Sequence, residues 1–443
     1  MIPTVRPMAI ATDALDGADE RVLVSGPTFG LVTVRLVFAS GGVDDGATSG
    51  LSYAALELAE LGTTRLSRDA FHAALERRGA ELSTGVGRVS SVVEISVLEP
   101  WLGEALELVG DALLLASDDR RELRTLRDEV TDGAHQEVES PPGAVGRYLG
   151  KALWPRGVWG KPIDGVEADR AAWTRAAIRD RRAAIVAAPC VVGVACDDPA
   201  RVWPKVEALH RRLREATGPS RRTKRRDPPA IAWGEGHVIR FRDAQQAALT
   251  VVSPGPDPAS DVWAAVRLHQ TAFGAGFASP LLRAVRSEAG LSYEVDWSLV
   301  PERGRSLHMF RVAPEARRLP EALRVAERTW DAWHDRRLDG ATLALAKALC
   351  NGNHLASLET AQQRLSAAMR LRALDLPVER LWALPARIAE LTSDEVQAAS
   401  AAYGWSQPQR LFVAAMDGGV ANPGWDEHGS TLPVRGARLG SVL

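Results

Sequence analysis

Two short segments of this 443-residue chain carry residues able to do chemistry. The first, SPLLRAVRSEAGLSY over 279–293, reads as a capped helix running into a strand. Ser279 is the expected N-cap, its hydroxyl accepting from the first turn, and Pro280 suits the first helical position. Leu281, Leu282 and Val285 give a buried side, and Gly290 ends the helix. Arg286 then falls in the last turn, with Tyr293 seven residues on, at the start of the strand. A guanidinium offers five N–H donors, and a phenol is a good donor that stays neutral at pH 7. Both residues also have an ordinary structural reading. An Arg near a helix C-terminus favours the dipole, and Tyr293 shares a strand face with Val295 and Trp297, where it would be core.

The second segment, GLSYAALELAELGT over 50–63, reads as a helix stopped by Gly62. Tyr53 and Glu57 are four apart, so they project from one face, with Leu56 beside them. A hydrolytic zinc needs about three protein ligands, usually imidazoles and a carboxylate, and one position open for water. In an H-x-x-E-H helix the two His hold the metal and the Glu is the general base. Here a phenol and one carboxylate occupy the ligand places, and an aliphatic side chain takes the place of the base. No zinc is expected here.

The elements around these segments alternate between strands and helices. LVTVRLVFASGG is a strand with Val32, Val34, Leu36 and Phe38 on one side. Ser67 caps a second helix that ends at Gly79, and RVSSVVEISVL is another strand. An amphipathic helix with Leu102, Leu106, Val109 and Leu113 on one stripe follows, and a long charged helix covers roughly 119–137. The segment 219–230, PSRRTKRRDPPA, is the linker candidate, dividing the chain into halves at 1–218 and 231–443. After it the same order begins again, which hints at an internal duplication. His269 follows the helical spacing of Val262, Ala265 and Val266, as a packed histidine does. GAGFASP lacks the Lys-Ser/Thr of a P-loop and the full G-x-G-x-x-G of a dinucleotide site.

Composition narrows the functions. The chain is 46% hydrophobic and 25% charged, ordinary for a globular protein of two or three domains. A net charge of −2 gives no whole-molecule attraction to nucleic acid or anionic membrane. The five basic residues within 221–226 lack the aromatics and wider basic face of a nucleic-acid site. Three Cys, with no C-x-x-C, argue against a disulfide framework or a thiolate metal site. The N-terminus has no secretory-signal pattern and no stretch of about 18 apolar residues occurs, so a cytoplasmic location is expected.

The two segments together resemble the M16 metallopeptidase family, which includes pitrilysin and the mitochondrial processing peptidase. The frame of 50–63 matches that family's zinc helix, G-L-x-H-x-x-E-H ending in G-T, with Tyr53, Leu56 and Glu57 at its chemical positions. The resemblance puts the third ligand, a Glu in the family, at Gly133, or at Asp132 if the register slips by one. The 279–293 segment matches the family's Arg/Tyr signature, with Ala289 where many members carry a second basic residue. Further matches in order are VRLVFASGG, LSRDAFHAALERRGAELS, LEPWLGEALELVGDALL and CVVGVACDD, so the resemblance spans roughly 20–400.

The resemblance implies an α+β fold of two similar halves, each an antiparallel-rich sheet covered by helices. It implies a degenerate, non-zinc subunit of a bacterial heterodimer, with zinc in the partner and none in this chain. Arg286 would hydrogen-bond carbonyls of a peptide substrate, and Tyr293 would donate to the oxyanion formed during hydrolysis. The chain alone would be inactive. The alternative is a catalytically inert scaffold or peptide-binding partner, for which the Arg286 and Tyr293 pair has no physical need.

Overall fold

The computed structural model describes residues 10–417 apart from 118, 222–226, 235, 242, 335 and 406–408, together with 431–432. Most of the basic run at 221–226 and nearly all of the tail after 417 therefore lie outside the described residues.

Two six-stranded sheets form the frame. The first comprises β1 (Ile10–Ala14), β2 (Glu20–Ser25), β3 (Leu31–Phe38), β4 (Glu81–Val86), β5 (Ser91–Leu98) and β6 (Cys190–Cys196), in the order β1-β2-β6-β3-β5-β4. The second comprises β7 (Gly236–Phe241), β8 (Ala248–Gly255), β9 (Val295–Glu302), β10 (Arg305–Val312), β11 (Leu411–Asp417) and β12 (Thr431–Leu432), in the order β12-β7-β11-β8-β10-β9. From the second position onward the two orders correspond strand for strand. Within the corresponding five strands one pair is parallel (β2 with β6, β7 with β11) and the next three are antiparallel; the outer strands differ, β1 pairing β2 antiparallel and β12 pairing β7 parallel. The repeated order that the sequence hinted at is thus a repeated topology.

Each sheet is buried on both faces, and the two faces have different covers. Val32, Val34, Leu36 and Phe38 of β3 pack as expected, against α1 (Leu51–Glu60), α3 (Leu102–Leu115) and the helices Arg175–Ala187 and Pro199–Thr217. Between α1 and α3 lies α2 (Arg68–Glu76), whose N-cap Ser67 accepts from Ala70 N–H at 3.4 Å. On the opposite face Val22, Val24, Val37 and Ala195 meet Leu365, Ala368 and Met369 of the Ala361–Ala373 helix, from beyond the second sheet's hairpin. A β-carbon at Gly193 would collide with Met369 and Leu365, so glycine there lets the helix approach the strand. The second sheet mirrors this. Its Val252, Leu307, Met309 and Val413 are covered by Val145, Tyr148, Ala152 and Leu153 of α5 (Pro141–Leu153), which follows α4 (Arg120–Val138) in the first half. Each half therefore lends one helix to the other's sheet. Parting them would expose two apolar faces, each side chain worth about 1.5–3 kcal/mol of burial.

His269 is buried as expected, its ring edge-on to Trp330 at 5.7 Å between centroids. Burial holds its pKa down at about 3, so it is a neutral packing group at pH 7. Among the described residues no helix is long and apolar enough to cross a membrane.

Candidate functional site

α1 starts at Gly50, whose φ of 85° and contact with Trp173 and Asp164 leave no room for a side chain. Its Ala54, Ala55, Leu58 and Ala59 pack into the core, and Leu56 goes with them at 1% exposure. Tyr53 and Glu57 are half-buried and line a cavity of about 650 Å³. The Tyr53 hydroxyl lies close to the Glu57 carboxylate. Burial, with Glu57 close by, pushes the phenol up to about 12; burial, with Glu60 and Glu129 near, raises Glu57 above the usual carboxylate range.

Across the cavity, α4 presents Glu129, Gly133 and Glu137 at four-residue spacing. A β-carbon at Gly133 would meet nothing within 4 Å. Asp132, the slipped-register alternative, is exposed and does not line the cavity, so Gly133 is the residue that faces Tyr53 and Glu57. The cavity's cations are all committed. Arg147 bridges Glu137 at 3.1 Å and Asp164 at 3.0 Å, and Lys161 reaches Asp169 at 2.7 Å. Arg88 is held by the carbonyls of Trp159 and Lys161 and lies over the Trp154 ring.

The donor set does not fit zinc. A phenol whose pKa is raised is a poor anionic ligand, one carboxylate is not three ligands, and the third position has no side chain. Among the described residues no group of three or more His, Cys, Asp or Glu is arranged to hold a metal. With Leu56 turned into the core, the position of the H-x-x-E-H base offers none.

The second segment departs from its sequence reading in two ways. Ser279 does precede the helix, but its hydroxyl makes no capping bond and is buried without a partner; its carbonyl accepts the Arg283 N–H at 3.0 Å. After one α-helical stretch, Pro280–Leu282, the backbone widens to a π-helix over Arg283–Glu288, and Ala289 N–H bonds back five residues to Ala284 at 3.1 Å. Gly290, with φ of 58°, closes it as expected, and Leu291 N–H returns to the Val285 carbonyl at 2.9 Å.

Tyr293 is not a core residue. β9 begins only at Val295, and Tyr293 is 86% exposed while Trp297 is buried against Phe273 and Trp330. The cause is local. Ser292 Oγ donates toward the carbonyls of Glu294 and Ala313, at 2.8 and 2.9 Å, and accepts the Glu294 N–H at 3.1 Å. That turn puts Ser292 inward and throws its neighbour out. Arg286 lies beside Tyr293, its guanidinium carbon 5.6 Å from the ring centroid and 5.1 Å from that of Phe277. Among the described residues Arg286 has no ion pair, so its N–H donors are uncommitted. Sequence reasoning missed Phe277, though GAGFASP marked the loop that carries it.

α5 relates the two places. Tyr293 lines a cleft of about 520 Å³ with Val145, Gly146 and Leu149 of α5, and Gly146 also lines the Tyr53–Glu57 cavity. One bare helix position therefore borders both.

Residues 203–349 match the family model described as the peptidase M16 inactive domain. That segment is similar to the M16 inactive domain. The whole fold agrees: a peptidase M16 inactive domain from Pseudomonas fluorescens superposes with a TM-score of 0.81 at 19% identity, over 94% of this chain and all of that one. A protease from Helicobacter pylori gives 0.77 at 15% identity, over 92% and 100%. A conserved protein from Enterococcus faecalis V583 gives 0.74 at 15%, over 93% and 100%. No curated protein matches the chain. At these identities the structures speak to fold, and the fold is the M16 α+β fold. Together with the matched segment, they make this chain similar to M16 inactive domains in fold.

Proposed function

We propose that this chain is the non-zinc subunit of a heterodimeric M16 peptidase, which presents Arg286 and Tyr293 to peptide held by a zinc-bearing partner. Arg286 donates to backbone carbonyls of the peptide and Tyr293 supplies a neutral hydroxyl donor to the developing oxyanion. The carrying observation is that Tyr293 stands at the surface with Arg286 beside it, and that among the described residues neither side chain makes a hydrogen bond or ion pair. A tyrosine 86% exposed buries little and stabilises little, and an Arg without an acid partner adds no ion pair. A scaffold needs neither.

The test is co-purification with a zinc-bearing M16 homologue. Arg286→Ala should leave the complex intact and cut cleavage of a peptide substrate at least tenfold, since a charged hydrogen-bond donor is worth about 1.5–3 kcal/mol. A complex that forms and cleaves equally well without Arg286 would instead identify the chain as a scaffold.

A further inference from the structure

We infer that Phe277 is a positioning residue for Arg286, the second wall of an aromatic clamp that aims the guanidinium at bound peptide. This rests on the peptidase-subunit reading above and adds to it a residue outside the 279–293 segment.

The loop that carries Phe277 is built to hold a large apolar side chain in solvent. A β-carbon on Gly274 would collide with the Trp297 side chain, and Gly276 has φ of 83°, where side chains are strained. Ser279 N–H then closes the turn on the Gly276 carbonyl at 3.1 Å. With both ends pinned, Phe277 stands 75% exposed. A phenylalanine so placed gains little from burial. Its ring lies against the Arg286 guanidinium.

A guanidinium prefers to lie over an aromatic face, and stacking leaves its edge donors free, unlike an ion pair. Arg carries about 2 kcal/mol of side-chain rotamer freedom that binding would otherwise remove. Phe277 at 5.1 Å and Tyr293 at 5.6 Å limit that freedom before peptide arrives while consuming none of the N–H groups. Preorganisation of this kind improves binding rather than the bond-breaking step. Phe277 also lines a groove of about 1110 Å³ with Leu345 and Leu349, so the clamp and the groove must be separated by experiment.

The experiment compares Phe277→Leu, Phe277→Tyr, Leu345→Ser and Tyr293→Phe, each in complex with the zinc-bearing homologue and the same peptide. Exposed cation–ring contacts are worth about 0.5–1 kcal/mol, or roughly two- to fivefold. Phe277→Leu should therefore raise KM about two- to fivefold with kcat nearly unchanged, and Phe277→Tyr should restore it. In the free chain, the Arg286 Nε–H resonance, assigned by its loss in Arg286→Lys, should lose the Phe277 part of its ring-current shift in Phe277→Leu and keep the part due to Tyr293. Leu345→Ser should behave as wild type. A wild-type KM for Phe277→Leu, alongside a crippled Tyr293→Phe, overturns the clamp and spares the subunit reading. An equal KM rise in Leu345→Ser assigns the effect to the groove and also overturns it. A fully active Tyr293→Phe removes the subunit reading, and the clamp's purpose with it.

Discussion

The Tyr53–Glu57 cavity and the Arg286–Tyr293 patch lie on either side of α5, yet their side chains are held in opposite ways. In the cavity, side chains are spoken for: Arg147 spans two acids, Lys161 reaches Asp169, and Leu56 is part of the core. In the patch, Tyr293 and Phe277 are exposed, and Arg286 lies against their rings with no ion pair among the described residues. Residues freed from chemistry become bound into the fold, because every unmet donor or buried void costs stability. Residues that stay exposed without partners have no such account. The contrast separates what the fold requires from what a ligand requires.

The largest expected effect reverses the cavity's loss. Tyr53→His, Glu57→His and Gly133→Glu together should convert a chain with less than stoichiometric zinc into one that binds about one per chain, measured by elemental analysis. Structural zinc sites are worth about 10–16 kcal/mol, and Gly133 has space for the added side chain. Leu56 is untouched, so the zinc-loaded variant should still not hydrolyse peptide. Failure to bind would mean that α1 and α4 do not face each other as described.

Leu56→Ala comes next. Removing a leucine 1% exposed in the core should cost about 2–5 kcal/mol in denaturant unfolding. A loss below about 0.5 kcal/mol would place Leu56 outside the core.

The smallest effect concerns Glu57. Burial raises its folded pKa above 4.5, the ordinary value, so the folded chain binds that proton more tightly than the unfolded chain does. Stability from this group is complete below pH 4.5 and declines as pH rises toward the folded value. Glu57→Gln should therefore match or slightly exceed wild type at pH 7, with the advantage opening above pH 4.5 in thermal unfolding. An advantage that instead grows on acidification would contradict the assigned burial.

Much of this was legible in the sequence. Alternation placed Val32, Val34, Leu36 and Phe38 on one face of β3, and the side-chain cap of Ser67 follows from residue type. The spacing of Tyr53 and Glu57 gave a shared helix face, and Gly290 its left-handed turn. Other features depend on distant chain. Periodicity marks a face of α5 as buried but not that the other half's sheet covers it. Val37 lies on the other face of β3, and is covered from residues more than 300 positions away. The Ser279 hydroxyl, a sound cap by local rules, is buried without a partner ahead of a helix that widens into a π-turn. Tyr293 follows strand alternation on paper, yet Ser292 breaks the strand just before it. Phe277 needs Arg286 across a turn to have any meaning, and spacing alone does not supply that contact.

The central claim is that Tyr293 acts through its hydroxyl on a partner's substrate. Wild-type and Tyr293→Phe chains should be co-purified with the same zinc-bearing homologue and turnover compared at matched occupancy. Loss of one preorganised oxyanion donor costs about 100- to 1,000-fold in rate, or about 2.7–4 kcal/mol. The substitution keeps the ring over Arg286, so stability and complex formation should not change. The complex should stay intact with turnover down by about that factor. Turnover within about twofold of wild type would contradict it and leave the chain a scaffold.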